Sequence, residues 1–182
     1  MEDRSLRIDP GGGVASAVAS VDDVPSSDAP GDAGTVTIDN HGCLFSPAIF
    51  GARAGATLAM KNSDPLTHSV RANEDGRAVF NVAMPLEGMV TQKTLPRQPG
   101  VVKLVCDIHP WMNARIKTFA HPYFATADDQ GRFRIDGVPV GRHRLTVWHP
   151  RLGERSIEVE VRADQTAEAE IHFGPADVRP LE

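Results

Sequence analysis

The sequence predicts an all-β protein of two small sandwiches, and three observations carry that prediction. Short runs rich in Val, Ile, Thr and Phe recur along the chain, as in Thr35-Val36-Thr37-Ile38 and Val101-Val102-Lys103-Leu104-Val105. Late in the chain, Ser156-Ile157-Glu158-Val159-Glu160-Val161 and Ala167-Glu168-Ala169-Glu170-Ile171 alternate strictly, with one apolar face, at the two-residue period of a strand. The 16 glycines and 14 prolines among 182 residues punctuate these runs with turns, which suits many short strands better than long helices.

Taken in order, residues 5–21 read as short extended pieces around a glycine turn: Leu6-Arg7-Ile8, then Gly11-Gly12-Gly13, then Val14 to Val18. Residues 22–34 are mostly Asp, Pro, Ser, Ala and Gly, a linker composition with little to bury. From Thr35 the strand pattern sharpens. Strands are expected at 35–38, 49–50, 57–60, 69–72, 78–82, 90–95, 101–105 and 114–119, with Ala54-Gly55 and Pro99-Gly100 as turns. Some seven short strands with turns between them describe a Greek-key sandwich over residues 35–119. A second group follows. Tyr123 to Thr126, Arg132 to Ile135, Arg144 to Trp148, Ser156 to Val161 and Ala167 to Ile171 read as strands, with turns at Asp128-Asp129-Gln130-Gly131 and Asp136-Gly137. Residues 120–173 are thin for an independent sandwich.

The chemistry concentrates in Val105-Cys106-Asp107-Ile108-His109-Pro110-Trp111-Met112, where a thiolate, an imidazole and a thioether fall within seven residues. Thiolate and thioether favour Cu(I) and imidazole serves both oxidation states, so the trio suits copper. A second imidazole is needed, and His68, in Asn62-Ser63-Asp64-Pro65-Leu66-Thr67-His68-Ser69-Val70, is the best candidate. Blander readings stand beside this one. His68 could be a loop histidine, Met112 core filler and Trp111 packing; a zinc site would use Cys106 and His109 but leave Met112 without a role. The only two cysteines, Cys43 and Cys106, could form a disulfide, which would leave His109 and Met112 unexplained. If Cys106 binds metal, Cys43 is a small buried residue or a neighbour of the metal.

On these residues, 35–119 resembles a cupredoxin, and within that family the amicyanin and plastocyanin-like proteins. The match is carried by Asp64-Pro65-Leu66-Thr67-His68-Ser69-Val70, by the strand Gly100 to Cys106, and by the Cys-x2-His-x2-Met loop of Cys106, His109 and Met112. The resemblance implies one type 1 copper, with His68, Cys106 and His109 in a trigonal plane and Met112 as the weak axial ligand. It implies a non-enzymatic carrier of single electrons that docks a redox protein partner on an apolar patch of Pro65, Leu66, Pro110 and Trp111. It also implies a hydrogen bond from the Ser69 amide to the Cys106 sulfur. The family commonly has Asn at position 69, whose side chain ties the two ligand loops; Ser69 is shorter, so a weaker tie is expected. Ile108 stands where amicyanin has proline, so a second bond to the sulfur, from the Ile108 amide, is expected to raise the reduction potential.

Residues 129–135 and 137–145, Asp129-Gln130-Gly131-Arg132-Phe133-Arg134-Ile135 and Gly137-Val138-Pro139-Val140-Gly141-Arg142-His143-Arg144-Leu145, resemble the carboxypeptidase regulatory-like family. That family opens with a strand, a Gly-containing turn and a Val-rich strand, which residues 6–21 resemble. The expected domain plan is therefore an insertion: residues 5–24 pair with 120–173 as one sandwich, and 35–119 is the inserted copper domain. Two consecutive domains with a loose N-terminal arm are the alternative. The combination resembles proteins labelled methylamine-utilisation-like, a label that implies no particular chemistry.

The remaining features narrow the function class. A net charge of −5 and the lack of a Lys/Arg block give no footprint for nucleic acid. No run of about 18 apolar residues spans a membrane. Met1 to Ser5 has neither a basic start nor an apolar stretch of a signal peptide. An exposed thiolate–copper carrier works outside the cytosol, so a periplasmic or other extracytoplasmic site is expected, with the export signal removed. A second metal site from His121, His149 and His41 is a weaker reading than hydrogen bonding or exposure. The rival function is a copper-binding or copper-delivery module, or a sandwich that binds protein or carbohydrate without redox chemistry.

Overall fold

The computed structural model describes residues 5–24 and 33–180, so most of the expected 22–34 linker lies outside the described residues. The strands are β1 Val18–Val21, β2 Thr35–His41, β3 Leu44–Ser46, β4 Ile49–Arg53, β5 Thr57–Asn62, β6 His68–Glu74 and β7 Arg77–Met84. They continue with β8 Val90–Thr94, β9 Val101–Val105, β10 Asn113–Phe119, β11 Phe124–Thr126, β12 Gly141–His149 and β13 Gly153–Val161. The only helical piece among the described residues is a single 3-10 turn, Pro175–Asp177, so the fold is all-β. The chain divides into two compact units: the described residues of Met1–Ser26 with His121–Glu182, and those of Ser27–Ala120.

The Ser27–Ala120 unit holds two sheets, a five-stranded one in the order β4-β10-β9-β6-β7 and a four-stranded one in the order β3-β2-β5-β8. Pairing is antiparallel except between β2 and β5 and between β4 and β10. Alternation places Val102 and Leu104 of β9, Val70 and Ala72 of β6, Ala114 and Ile116 of β10, and Leu58 and Met60 of β5 in one buried core. Each large side chain such as Leu104 or Ile116 contributes about 1.5–3 kcal/mol by leaving water. The same alternation sets up the ligands. The inward series 102, 104 continues to Cys106, and the inward series 72, 70 continues to His68. The antiparallel register Ala72↔Leu104 then brings both series to one end of the sheet.

One strand escapes the sequence reading. β3 pairs with β2 across Gly42-Cys43, whose φ angles of 62° and 55° are those of a two-residue hairpin turn with both central residues left-handed. Three residues are too few to show an alternation, and the turn lacks the Asn-Gly or Asp-Gly pair that usually marks it.

In the other unit the sheet order is β11-β1-β12-β13, with β1 hydrogen-bonded on both sides. Thus a strand that precedes the Ser27–Ala120 unit in sequence pairs with two strands that follow it. Ala17, Ala19, Val21, Ala127, Leu145 and Val147 form the centre of this core. The N-terminal glycine turn packs closely on the Asp128–Arg132 turn. A Cβ at Gly13 would lie 1.8 Å from the Gln130 carbonyl oxygen, and Gly131 adopts φ 76° with its own would-be Cβ 2.6 Å from Val14 N. Asp128 accepts from the amides of Gln130 and Arg132, both at 2.9 Å, and these bonds hold its carboxyl below the usual aspartate range.

Two expected strands are not formed. Arg132 to Ile135 and Ala167 to Ile171 have no strand pairing, and Ala167 to Glu170 are exposed. Phe133, Ile135, Val138, Ile171 and Phe173 still pack against the core, so these segments cover the sheet through side chains rather than through a ladder. The Ala-Glu repeat alternates, but alanine offers little apolar area to bury, so alternation alone does not dock it. The expected strand at 14–18 also shifts to Val18–Val21, because Ser16 takes φ 62° and breaks the extended run.

Candidate metal centre

Three of the four expected ligands meet at the end of the five-stranded sheet. One ligand atom each from His68, Cys106 and His109 lies within 4.8 Å of the other two. The Cys106 Sγ is 3.7 Å from His109 Nδ1, and the two imidazole centroids are 4.7 Å apart. His68 and Cys106 are buried, whereas His109 is half-buried. Met112 closes the loop: its amide donates to the His109 carbonyl at 2.9 Å, and its carbonyl accepts from the Cys106 amide at 3.2 Å. The Met112 side chain is fully buried in the same core as Cys106, where it packs. Both Cys43 and Cys106 are free thiols, so the disulfide alternative is not formed. No group of three or more metal-ligating His, Cys, Asp or Glu side chains among the described residues includes His41, His121 or His149.

His68 is oriented by a residue to which sequence alone gives no role. Its Nε2 lies 2.9 Å from Asp64 Oδ2. The Asp64 carboxylate also accepts from the amides of Gly42 at 2.7 Å and Cys43 at 2.9 Å. Burial pushes its carboxyl pKa up, but the Cys43 and Gly42 amides and the His68 ring outweigh that and hold it below the usual aspartate value. A carboxylate here takes the Nε2 proton of a neutral ring and leaves Nδ1 as a lone pair. His68 Nδ1 is buried and has no hydrogen-bond partner. An orphaned buried nitrogen costs about 1–3 kcal/mol, and a metal shared with Cys106 and His109 would satisfy it. The residues present therefore fit a thiophilic metal ion.

The Cys106 sulfur receives the expected bond from the Ser69 amide, at 3.4 Å. The second donor differs from the expectation. It is the Ser69 hydroxyl, 3.8 Å from Sγ, whose oxygen in turn accepts from the Asp107 amide at 2.8 Å. No bond from the Ile108 amide to the sulfur is formed. Serine is long enough to tie the two ligand loops because Asp107, rather than a residue farther along, provides the donor. Asn62 fixes the loop before His68. Its amide group donates to the Leu66 and Met84 carbonyls, and its Oδ1 accepts from the Asp64 amide. Asp107 is held outside by Arg71 at 2.7 Å and Asn81 at 2.9 Å, which lower its carboxyl pKa.

Leu66 is 50% exposed, Ile108 49% and Trp111 43%, and Pro65 and Pro110 are exposed, whereas His109 is half-buried. The Trp111 ring centroid is 5.3 Å from that of His109, and its Nε1 donates to the Cys43 carbonyl at 3.1 Å.

A family profile described as carboxypeptidase regulatory-like domain matches residues 108–174, beginning before the unit boundary at His121. No curated protein matches the chain. Among solved structures, it is similar to a copper-containing nitrite reductase from Thermus scotoductus SA-01, at 23% identity and a TM-score of 0.40, over 47% of this chain. The chain spans only 22% of that reductase. It is similar to the novel purple cupredoxin from Nitrosopumilus maritimus, at 23% identity and a TM-score of 0.39, over 46% of this chain and 99% of that one. Amicyanin from Paracoccus versutus is 19% identical with a TM-score of 0.41, over 56% of this chain and 97% of that one.

Proposed function

We propose that residues 35–119 are a cupredoxin domain that holds one type 1 copper through His68, Cys106, His109 and Met112 and passes single electrons between extracytoplasmic redox proteins. We further propose that residues 5–24 and 120–173 are one carboxypeptidase regulatory-like sandwich into which that domain is inserted. The observation that carries the copper reading is the buried, partnerless Nδ1 of His68 beside the Cys106 sulfur and the His109 ring. When bound, copper supplies a one-electron couple. The protein supplies the rest. Asp64 holds the proton on His68 Nε2 and so keeps the ring oriented. The Ser69 amide and hydroxyl stabilise negative charge on the sulfur. Neighbouring strands fix His68 and Cys106, so the ligands rearrange little between oxidation states. The exposed Pro65, Leu66, Pro110 and Trp111 serve as the apolar docking patch, which suits a small, transient contact with a redox protein partner.

The test is one equivalent of Cu(II) added to reduced, metal-free protein. An intense visible thiolate-to-copper band with a narrow copper hyperfine splitting supports the reading. A colourless protein that binds Cu(I) alone points instead to copper delivery, and no copper binding points to a non-redox binding sandwich. Trp111→Lys is expected to keep the colour and slow electron exchange with a protein partner. Loss of colour would mean that Trp111, through its bond to Cys43, supports the site itself.

A further inference from the structure

We propose that the outer edge of β13, at residues 157–161, takes an added strand from a partner protein: an extended segment in which aliphatic side chains alternate with Lys or Arg. Among the described residues, β13 ends its sheet and pairs with β12 alone. The start of the strand is engaged. Arg155 donates to both Asp177 carboxylate oxygens, at 2.8 and 3.0 Å, and the Arg179 amide donates to the Arg151 carbonyl at 2.7 Å. Farther along, a cleft of about 350 Å³ lies between residues 157–160 and residues 165–168. Val159 and Ala167 line this cleft and also a groove of about 1170 Å³, whose walls include Phe133, Ile135, Val138 and Val161.

Alternation sets what the guest strand must carry. Ile157 and Val159 pack against the core, and Glu158 and Glu160 are exposed on the opposite face. A strand added in phase places one row of side chains beside the two glutamates and the other row in the groove. There Ala167 and Ala169 leave space that larger side chains would fill. On its other side β13 already shows the charge rule. Arg144 stands opposite Glu158, and Arg142 opposite Glu160. Lys or Arg at the same levels of a guest continues a ladder of alternating sign. Across the groove stand Arg132 and Arg134, the latter paired with Asp136 at 2.7 Å.

The same charges exclude the two occupants nearest at hand. Residues 167–171 alternate as a strand does, yet they form no ladder. Docked on β13 with the alanines inward, they would set Glu168 and Glu170 beside Glu158 and Glu160, and like charges directly opposite destabilise a pair. A second copy of β13 meets the same repulsion. The edge is thus guarded against its own chain and open to a basic strand. Main-chain hydrogen bonds supply the affinity of such a contact, and the alternating side chains supply its specificity. The Arg162 side chain, 2.9 Å from Glu160, is 65% exposed, so it swings aside at little cost. None of this depends on the copper reading.

The test uses the full chain and a synthetic peptide, Lys-Val-Lys-Ile-Lys-Val-Lys, with capped ends. Fluorescence anisotropy of dye-labelled peptide reads affinity, and amide hydrogen exchange followed by NMR reads position. Saturable binding is expected, with slowed exchange at those amides of residues 157–161 that do not bond β12. Affinity should fall about tenfold or more in the double variant Glu158→Lys, Glu160→Lys, and as much for a peptide of the same composition with its lysines in one block. The exchange experiment uses the native chain, so it decides even if the double variant does not fold. The proposal is overturned by a lack of saturable binding, by equal binding of the block peptide, by unchanged exchange at 157–161, or by an affinity that ignores the double variant. Slow exchange of the outward amides without peptide also overturns it. If that protection grows with protein concentration, the occupant is a second copy; if it does not, the occupant is the chain's own 167–171 segment.

Discussion

Ser69 joins the two ligand loops with two backbone-scale bonds. Its amide and its hydroxyl both face the Cys106 sulfur, and its oxygen caps the Asp107 amide. Ser69→Ala keeps the amide bond but loses the other two. The copper reduction potential, measured by voltammetry, is expected to fall, because one donor no longer withdraws charge from the sulfur. Stability should drop by about 1 kcal/mol, the cost of leaving the Asp107 amide without its acceptor. An unchanged potential would mean that the 3.8 Å hydroxyl contact does not act on the sulfur. Ile108→Pro tests the converse. No Ile108 bond reaches Cys106, so removing that N–H should leave the potential where it was; a lower potential would show that the amide does reach the sulfur. The candidate loop was legible because Cys106, His109 and Met112 share one short stretch of sequence. Asp64 was not, because an aspartate before a proline is ordinary turn chemistry, and only the fold shows its carboxylate facing His68.

Period-two alternation located most of the strands of the Ser27–Ala120 unit, since one face of each must be buried. It failed where that link between pattern and burial breaks. β3 is too short to alternate, and the Ala167–Ile171 segment alternates without pairing. The contact between the N-terminal glycine turn and the Asp128–Arg132 turn is likewise invisible in a string of glycines. There a Cβ at position 13 would strike backbone at Gln130, which cannot swing aside as a side chain can. Gly13→Ala is therefore expected to cost about 1–3 kcal/mol, the range of overpacked sites. Denaturant unfolding of the full chain checks this, with Gly174→Ala as the control for conformational freedom, since Gly174 has an ordinary φ of −113° and a Cβ there would meet only Asp177 Oδ2, at 3.9 Å. Equal losses in the two variants would show that the close approach is relieved without cost.

Across the molecule, β1 stands between β11 and β12, so the unit at the two chain ends is completed by residues far apart in sequence. A pH response follows from the same unit. His149 is fully buried, and burial, with a smaller contribution from Arg151, pushes its pKa down from 6.5 to about 4. Between these values the unfolded chain binds a proton that the folded chain does not. Stability from this group is therefore full above pH ~6.5 and declines as the pH falls toward ~4, by at most about 3 kcal/mol. Calorimetric unfolding between those limits should show the decline, and His149→Gln should flatten it. A variant with the native slope would place the acid sensitivity elsewhere.

The sequence by itself determined the β class, the positions of most strands and the side chains that are candidate ligands, because alternation, turn residues and a compact loop are local patterns that local physics enforces. Only the tertiary structure decided which histidine nitrogen is free, which side chain bonds the sulfur, and that Cys43 stands next to Asp64. Those are questions of direction and distance between side chains, four positions apart for Asp64 and His68 but 21 and 37 for the other two pairs. Strand register settles them, and no local pattern in the chain records it.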